Sequence, residues 1–396
     1  MKILTFTTLY PNAARPQHGI FVENRIRELS KTVGLSVRVV APCPWFPFSA
    51  SFFGRYSKFA LVPRSEIRHG VSVHHPRYAL FPKIGMVAAP ALMYYGVRGA
   101  IRRLIRRSGE FDLIDAHYFY PDGVAAIMLG RHFRKPVVIT GRGSDLNIIT
   151  QYTLPRRMIH WAAERAAGLV TVSAALREHL VKLGIARDRV SVLPNGVDLK
   201  LFCPGDRAAF RADLGVKGLV LLSVGNLIPL KGHELTIEVL TFLPEARLLI
   251  VGDGPERTSL ENRAKRLLVA DRIAFLGSMP QHALPKFYAA ADVLILASRY
   301  EGWPNVLLEA MACGTPVVAS DVPGIREIVR SSSVGRLIAN RTAQNFACAV
   351  QQITYDAPSR TIVRRYAEDF SWAATTEGQL RLFRSILQRN RLDKMY

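Results

Sequence analysis

The chain has 396 residues, which is long enough for two domains of ordinary size. Its composition of 49% hydrophobic and 21% charged residues excludes a disordered protein. The four cysteines form no CxxC pair, which excludes a zinc knuckle and a disulfide framework and predicts a cytoplasmic location. The opening MKILTFTTLY lacks the pattern of a signal peptide.

The net charge of +22 is distributed unevenly along the chain. Residues 1–200 carry 29 Lys and Arg against 12 Asp and Glu, whereas the remainder carries 24 against 19. This basic excess in the N-terminal half predicts an anionic partner, either a membrane or nucleic acid. Because no nucleic-acid-binding module is recognisable, we expect no nucleic acid to bind and keep a basic nucleic-acid-binding protein only as a remote alternative.

Apolar strand-like runs alternate with helix-like segments from the N-terminus onward. In chain order the predicted strands are KILTFTTL, SVRVVAP, DLIDAH, PVVITG and GLVTVS, followed after the turn PNGVDLKLFCPGD by LVLLSVG, ARLLIVGDG, RIAFLG, DVLILAS and TPVVAS. Such alternation predicts parallel sheets with helices on both faces. Two runs separated near residue 200 predict an α/β protein with two doubly wound domains.

Loops that follow the predicted strands are rich in Gly, Asp, His and Glu. In an open α/β sheet, ligands bind beyond the carboxyl ends of the strands. We therefore expect an active site between the two domains, formed by the loops TLYPNAARPQHG, AHYFYPDG, TGRGSDLN, VGNLIPLKG, VGDGPE and SRYEGWPN.

The stretch EGWPNVLLEAMACGTP places two acids around a predicted helix start. We expect Glu301 in the loop at the helix entrance and Pro304 in the first helical turn. The free backbone N–H groups there predict an anion site for a phosphate. Glu309 lies in the apolar run VLLEAMA, where a buried acid needs a partner such as the two hydroxyls of a ribose. The alternative is that Glu301 caps the helix and Glu309 is a solvated helix residue.

This stretch resembles the paired-glutamate motif (Glu, seven residues, Glu) of retaining glycosyltransferases of family 4. NGVDLKLF, VGNLIPLKG, VGDGPER and FYAAADVLILASRYEGWPNVLLEAMACGTPVVASDVPGIREIV also resemble segments of that family. The resemblance implies the GT-B fold, with two Rossmann-like domains facing across a cleft. It implies an acceptor-side domain at 1–198, completed by a C-terminal helix at 376–396, and a nucleotide-sugar-binding domain at 199–375.

The resemblance also implies roles for individual residues. Glu309 is expected to hold the ribose hydroxyls, Lys231 to neutralise the diphosphate, and Glu301 to contact the donor sugar. The residues expected to act in catalysis are His117, Lys231 and Glu301. Those expected to bind the donor are Gly19, Asp145, Gly225, Lys231, Gly254, Glu301, Gly302, Trp303, Pro304, Asn305, Val306 and Glu309.

Three positions depart from the family pattern. Asn226 stands where the family usually has an arginine, so it supplies no positive charge to a phosphate. His18 with Gly19 replaces the commoner Gly-Gly, although Gly19 still allows close backbone approach. Arg142 stands where relatives often have a histidine, and we expect it to line the cleft.

The expected function is retaining transfer of a hexosyl group from a nucleotide-sugar to a hydroxyl acceptor, which is a glycan or a lipid-linked glycan in polysaccharide biosynthesis. No metal and no cofactor are expected. The alternative is a soluble GT-B sugar or sugar-phosphate synthase.

Two segments predict peripheral binding to an anionic membrane, on the inner face of the plasma membrane. In residues 44–64, aromatic side chains alternate with Arg55, Lys58 and Arg64. Residues 84–97 form an apolar run of 14 residues, shorter than the roughly 20 that span a bilayer. The arginines that follow this run suit lipid headgroups, and they are Arg98, Arg102, Arg103, Arg106 and Arg107. The alternative is a buried helix with a solvated basic face.

Overall fold

The β-branched runs of the first half form one eight-stranded sheet in the computed structural model, which describes residues 1–80 and 85–392. The chain divides into two compact units. Unit 1 comprises Met1–Pro194 with the described residues of Ala373–Tyr396, and unit 2 comprises Asn195–Trp372.

Unit 1 has the strand order β10-β9-β8-β7-β1-β2-β5-β4, and neighbouring strands run parallel apart from β4, which runs antiparallel to β5. A separate pair of short strands joins β3 to β6. The strands are β1 Lys2–Phe6, β2 Ser36–Val40, β3 Cys43–Pro44, β4 Ser65–Arg68, β5 Val71–His74, β6 Arg77–Tyr78, β7 Leu113–His117, β8 Val137–Gly141, β9 Gly168–Thr171 and β10 Val190–Val192.

The helices of unit 1 connect these parallel strands. They are α1 Ile20–Ser30, α2 Ser57–Ala60, α3 Gly85–Ser108, α4 Val124–Phe133, α5 Ser144–Asn147, α6 Thr153–Arg165 and α7 Ala174–Lys182. Strand β7 is buried at every position, as a central parallel strand with helices on both faces must be. The apolar face of α1, represented by Val22, Ile26 and Leu29, packs into the same core as strand residue Ile3.

Unit 2 has the parallel strand order β13-β12-β11-β14-β15-β16, the doubly wound arrangement of a Rossmann sheet. Its strands are β11 Leu219–Val224, β12 Ala246–Val251, β13 Ile273–Gly277, β14 Val293–Leu296, β15 Val317–Ser320 and β16 Gly335–Ile338. Its helices are α8 Arg207–Asp213, α9 His233–Val239, α10 Arg257–Arg266, α11 Leu284–Ala290, α12 Asn305–Ala312, α13 Pro323–Arg326, α14 Ala343–Asp356 and α15 Arg360–Glu368.

The last helix, α16 Trp372–Leu392, begins four residues earlier than the expected start at 376. From Ala373 onward it belongs to unit 1, where Phe383 and Ile386 join the core. The expected residues 393–396 lie outside the described part of the chain.

In each unit the strand order reverses at one point, which is where an open α/β sheet offers a ligand crevice. In unit 1 the reversal lies between β1 and β7, and in unit 2 between β11 and β14. The loops that follow these four strands hold many of the residues expected in the site.

The two segments expected at a membrane have exposed and buried faces. Ile84 lies outside the described residues, and the remainder of the run 84–97 forms the first half of α3. Met93 and Val97 are buried, whereas Met86 and Tyr95 are exposed, so the helix is neither wholly buried nor wholly on the surface. In the aromatic segment the exposed rings belong to Trp45, Phe48 and Phe52. The side chain of Arg55 lies outside the described structure.

Candidate active site

An ion pair joins the loops after β11 and β14. Lys231 Nζ lies 2.6 Å from Glu301 Oε1, and the Ser298 hydroxyl donates to the same oxygen at 2.7 Å. Lys231 ends a short 3₁₀ turn at Pro229–Lys231, and Ser298 follows β14. The structure therefore brings together a cation and an acid that the sequence placed 70 residues apart. Glu301 contacts Ser298 and Lys231 and makes no cap to α12, against the capping alternative.

Glu309 is buried inside α12 and has the partner that a buried acid needs. The Tyr288 hydroxyl donates to Glu309 Oε2 at 2.7 Å, and Gln281 Nε2 lies 3.5 Å from Oε1. Burial raises the pKa of the Glu309 carboxyl, and the hydrogen bonds from Tyr288 and Gln281 oppose that rise. The alternative of a solvated Glu309 is therefore wrong, because its side chain is only 8% exposed.

Glycines allow the backbone segments around this pair to approach one another. Gly225 follows β11 with φ of 155°, and a Cβ at Gly252 would lie 1.8 Å from its carbonyl oxygen. A Cβ at Gly254 would lie 2.4 Å from the Leu227 carbonyl oxygen. The structure thus gives Gly254 a packing role beside the loop, while Gly225 lies in the loop itself.

The loop after β11 is anchored by a histidine that the sequence reasoning missed. His233 is buried, its Nδ1 lies 3.0 Å from the Ser223 hydroxyl and its Nε2 lies 3.2 Å from the Asn226 carbonyl oxygen. Burial lowers the pKa of His233 to about 4, so the ring is neutral near pH 7. The Asn226 side chain itself is exposed. The available signal was its position, because His233 directly follows the loop VGNLIPLKG and is the first residue of α9.

The residues expected around the donor sugar surround the start of α12. Pro304 precedes the helix instead of occupying its first turn, because α12 begins at Asn305. The Trp303 indole N–H donates to the Asn195 carbonyl at 2.9 Å, and Asn195 Nδ2 donates to Asn305 Oδ1 at 3.2 Å. The indole N–H of Trp303 is therefore hydrogen-bonded within unit 2. Gly302 is buried, and Val306 is half-buried.

In unit 1, Gly19 and a buried aspartate organise the loop after β1. Gly19 precedes α1 with φ of 74°, and a Cβ there would lie 2.3 Å from the Leu9 carbonyl. Asp122, which the sequence reasoning did not select, accepts hydrogen bonds from the backbone N–H and the hydroxyl of Thr8. Burial raises the pKa of Asp122 to about 7. His18 Nε2 contacts the Thr8 carbonyl at 3.1 Å.

His117 ends β7 and is fully buried in a polar network. Arg142 Nη2 lies 2.7 Å from His117 Nδ1, and His117 Nε2 lies 3.2 Å from Asp115 Oδ2. Burial lowers the pKa of His117 to about 4 although Asp115 opposes this, so the ring is neutral near pH 7. Only Nδ1 is hydrogen-bonded, because Nε2 approaches Asp115 without the geometry of a hydrogen bond. The expected role of His117 in catalysis stays a prediction.

The same network reaches residues that are far apart in the sequence. Gln379 of α16 donates to Asp115 Oδ2 at 2.9 Å and accepts from Arg25 Nε at 2.9 Å. Arg25 is fully buried, and its Nη1 also donates to the Leu193 carbonyl at 3.0 Å. No spacing in the sequence indicates this contact between α1, β7 and α16.

Asp145 lies in α5 with its carboxylate turned to the backbone. Its oxygens accept from the N–H groups of Phe119 at 2.8 Å, Gly143 at 2.8 Å and Arg142 at 3.1 Å. These contacts join the loops after β7 and β8. Asp145 therefore orders the loop in this structure, and its expected contact with the donor stays a prediction.

The predicted site residues thus divide between the two units. Unit 2 holds Gly225, Lys231, Gly254 and the stretch from Glu301 to Glu309, and unit 1 holds Gly19, His117 and Asp145. In residues 1–80 and 85–392, no group of three or more His, Cys, Asp and Glu side chains is arranged to hold a metal ion.

Comparison with known proteins supports one family for both halves. Residues 19–201 match the model of Glycosyltransferase Family 4, and residues 206–370 match Glycosyl transferases group 1. The chain is 30% identical to the putative teichuronic acid biosynthesis glycosyltransferase of Bacillus subtilis, over 90% of each chain. It is 32% identical to the D-inositol 3-phosphate glycosyltransferase of Frankia alni, covering 85% of this chain and 89% of the relative.

Solved structures show the same fold. Sucrose-phosphate synthase from Thermosynechococcus elongatus has a TM-score of 0.80 at 22% identity, covering 98% of this chain and 99% of that one. Anabaena HepE, solved in complex with UDP-glucose, has a TM-score of 0.74 at 20% identity, covering 97% and 100%. The chain therefore belongs to glycosyltransferase family 4, and it is a glycosyltransferase with the GT-B fold.

Proposed function

We propose that this enzyme transfers a hexosyl group from a nucleotide-sugar, with retained anomeric configuration, to a hydroxyl of a lipid-linked glycan in polysaccharide biosynthesis. The reaction takes place in the cytoplasm, on the inner face of the plasma membrane. The observation that supports the donor half is the cluster of Lys231, Glu301 and Ser298 at the strand-order reversal of unit 2. The Bacillus subtilis relative is named for teichuronic acid biosynthesis, which supports a polysaccharide as the product.

In this proposal the donor diphosphate lies at the loop amides after β11, within reach of Lys231. The Lys231 ammonium stabilises the negative charge that develops on the departing nucleoside diphosphate. Because Glu301 holds Lys231 at 2.6 Å, the ammonium is oriented before the donor arrives. Because Asn226 has no charge, Lys231 and the backbone amides neutralise the charge of the diphosphate.

Glu309 binds the ribose hydroxyls in this proposal. An ionised carboxylate accepts two hydroxyl hydrogen bonds, whereas the protonated acid accepts them poorly. Tyr288 donates to one oxygen and favours the ionised form. The affinity for the donor therefore falls as the pH is lowered toward the raised pKa of Glu309, because the carboxylate becomes protonated.

A basic groove in unit 1 supports the membrane part of the proposal. A cavity of about 430 Å³ is lined by the arginines Arg64, Arg77, Arg103 and Arg107 and by His74. Arg102, which is also expected at the headgroups, is exposed and contacts His132 Nε2 at 2.8 Å, so the arginines of α3 divide between two faces. Each basic residue near an anionic surface contributes about 1 kcal/mol. Within the described residues, no helix is long and apolar enough to cross a membrane.

Flotation with liposomes of graded anionic lipid content tests the membrane proposal. The groove variant changes Arg64, Arg103 and Arg107 to Gln, and the control changes the exposed unit 2 residues Lys217, Lys265 and Arg266 to Gln. We expect the wild type and the control to float at physiological salt, and the groove variant to remain in the dense fraction. Equal flotation of both variants would contradict this role of the groove.

The second candidate is a soluble enzyme that glycosylates a phosphorylated polyol. The similarity to D-inositol 3-phosphate glycosyltransferases favours it. A transfer assay that offers a soluble sugar phosphate and an inositol phosphate beside lipid-linked glycans distinguishes the two. Only the lipid-linked acceptors gain a sugar under the main proposal.

A further inference from the structure

Unit 1 encloses a cavity of about 350 Å³ beside the point where its strand order reverses. Thr8 and Tyr10, which follow β1, and Tyr118, which follows β7, contribute to its wall. Most of the surface that lines it is apolar, and the apolar side chains include Ala41, Phe59, Val62, Tyr78, Met86 and Ala89. A cavity of this kind, apolar with a few polar groups, is typical of a small-molecule site.

Arg15 brings a positive charge to this apolar wall. Its Nη2 lies 2.9 Å from His18 Nδ1, and its guanidinium carbon lies 5.6 Å from the centre of the Phe59 ring. Burial lowers the pKa of His18 to about 4, so that ring is neutral and accepts the hydrogen bond from Arg15 without supplying a negative charge. In the part of the chain that the structure describes, no ion pair joins Arg15 to a carboxylate.

Several polar side chains of the cavity wall are already bonded within unit 1. The Tyr118 hydroxyl lies 2.6 Å from the Ser144 hydroxyl, and the Tyr120 hydroxyl donates to the Met86 carbonyl. His75 contacts the Ala41 carbonyl at 3.1 Å and Glu66 at 2.7 Å. A free sugar, whose hydroxyls each need a partner, is therefore a poor match for this wall.

A half-buried guanidinium beside apolar surface is stabilised by a ligand anion that replaces the lost water. A guanidinium matches phosphate oxygens in a two-bond geometry. The volume of about 350 Å³ corresponds to roughly a dozen methylene-sized groups, if each takes about the 30 Å³ of a liquid water molecule. The cavity is therefore large enough for one alkyl chain.

We propose that this cavity binds an amphiphile in which one apolar chain is joined to a phosphate, with the phosphate at Arg15 and the chain against Ala89 and Phe59. The inference rests on the proposed function, because it assigns the cavity to the lipid-phosphate part of the acceptor. It makes Arg15 a residue that selects acceptors by the charge next to their lipid.

The test is titration calorimetry of the full chain with decyl phosphate below its micellar concentration. Saturable binding at one site is expected. Arg15→Gln weakens it by about tenfold or more, as expected for the loss of a charged hydrogen bond, and Arg15→Lys weakens it less. Decyl maltoside, which has a chain of the same length and no charge, serves as the control, and its affinity is the same for the wild type and Arg15→Gln.

A second variant tests the apolar part. Ala89→Leu reduces the cavity volume and weakens binding of decyl phosphate, while thermal melting of the variant confirms that it is folded. Failure of decyl phosphate to saturate the wild type, or equal affinity for Arg15→Gln and the wild type, overturns the proposal. An unchanged affinity for folded Ala89→Leu overturns the placement of the chain.

Two further arms identify the source of the phosphate and separate this inference from the proposed function. Dioctanoyl phosphatidic acid, with two chains, is expected to bind at least tenfold more weakly than decyl phosphate. Equal affinity identifies a bilayer lipid as the occupant and overturns the assignment to the acceptor. Because binding is read without sugar transfer, a chain that binds decyl phosphate at Arg15 yet glycosylates only soluble acceptors retains the site and refutes the lipid-linked acceptor.

Discussion

In unit 2 the ion pair of the site retains contact with solvent, with Lys231 22% and Glu301 9% exposed, whereas in unit 1 both Asp115 and His117 are fully buried. Lys231 and Glu301 lie in loops at the strand ends, where a ligand can reach them. Asp115 and His117 are joined through Gln379 to Arg25, in the interior of unit 1. The two units thus differ in where their titratable side chains lie: within reach of a ligand in unit 2, and in the interior in unit 1.

A titratable residue at a strand end therefore need not contact the substrate. Burial and contacts distinguish the two cases: Lys231 shares a partly buried ion pair that solvent still reaches, while the fully buried His117 ring lies between Asp115 and Arg142. We therefore expect changes at the unit 2 pair to reduce turnover, and changes in the unit 1 network to reduce stability.

The largest effect is expected for Lys231→Ala and for Glu309→Gln. Each removes a contact proposed to stabilise the leaving nucleoside diphosphate or to hold its ribose, so turnover falls about 100-fold or more. The melting temperature changes little. Lys265→Ala, at an exposed position of α10, is the control and keeps full turnover. Near wild-type turnover of either site variant would remove that residue from the site.

Gln379→Leu is expected to reduce stability more than turnover. It removes both hydrogen bonds that link Arg25 to Asp115 and leaves two buried charges without that amide. We expect unit 1 to lose about 3 kcal/mol of stability, with turnover at low temperature reduced far less than by Lys231→Ala. Denaturant unfolding measures the loss, and Gln351→Leu, exposed on α14, is the control. An unchanged unfolding midpoint would show that the network is not a structural requirement.

Tyr288→Phe has a smaller effect on the donor. The change deletes the hydroxyl that donates to Glu309 at 2.7 Å, so the pKa of Glu309 rises further and the carboxylate is less well oriented. We expect KM for the donor to rise about tenfold, and more so at acid pH. Tyr355→Phe, at a residue that is 91% exposed, gives the baseline. A KM that equals the wild-type value at every pH would contradict the pairing.

The last expectation is a pH dependence of the stability of unit 1. Burial raises the pKa of Asp122 from 3.8 to about 7, so the folded chain keeps a proton there that the unfolded chain has lost. The free energy of unfolding therefore receives a contribution that falls as pH rises from about 4 to about 7, and that is constant above. Asp122→Asn removes this contribution. Parallel pH profiles of stability for the wild type and the variant would contradict the raised pKa.

Much of the fold and of the unit 2 site could be predicted because the signals are local. Strand–helix alternation predicted the two parallel sheets, and the stretch from Glu301 to Glu309 is contiguous. The apolar surroundings of Glu309 required a partner, although its identity as Tyr288 follows only from the packing of α11 against α12.

The unit 1 network could not be predicted, because Arg25, Asp115 and Gln379 meet only after α1, β7 and α16 have packed. The pairing of Lys231 with Glu301 depends likewise on the neighbouring positions of β11 and β14. The missed Asp122 lay within the motif AHYFYPDG, where His117 was selected instead. The roles of Asp122 and His117 depend on their burial and hydrogen-bond partners, which the spacing of residues in the sequence does not reveal.

Transfer to a lipid-linked glycan is tested by offering the purified chain a panel of nucleotide-sugars together with an organic extract of lipid-linked glycans. Mass spectrometry then reads the products in the organic and aqueous phases. We expect a gain of one hexosyl residue on an organic-soluble acceptor with one of the donors, and no such gain with Lys231→Ala. Transfer that is confined to water-soluble acceptors, or that persists undiminished in Lys231→Ala, would show that the proposed acceptor or the proposed role of Lys231 is wrong.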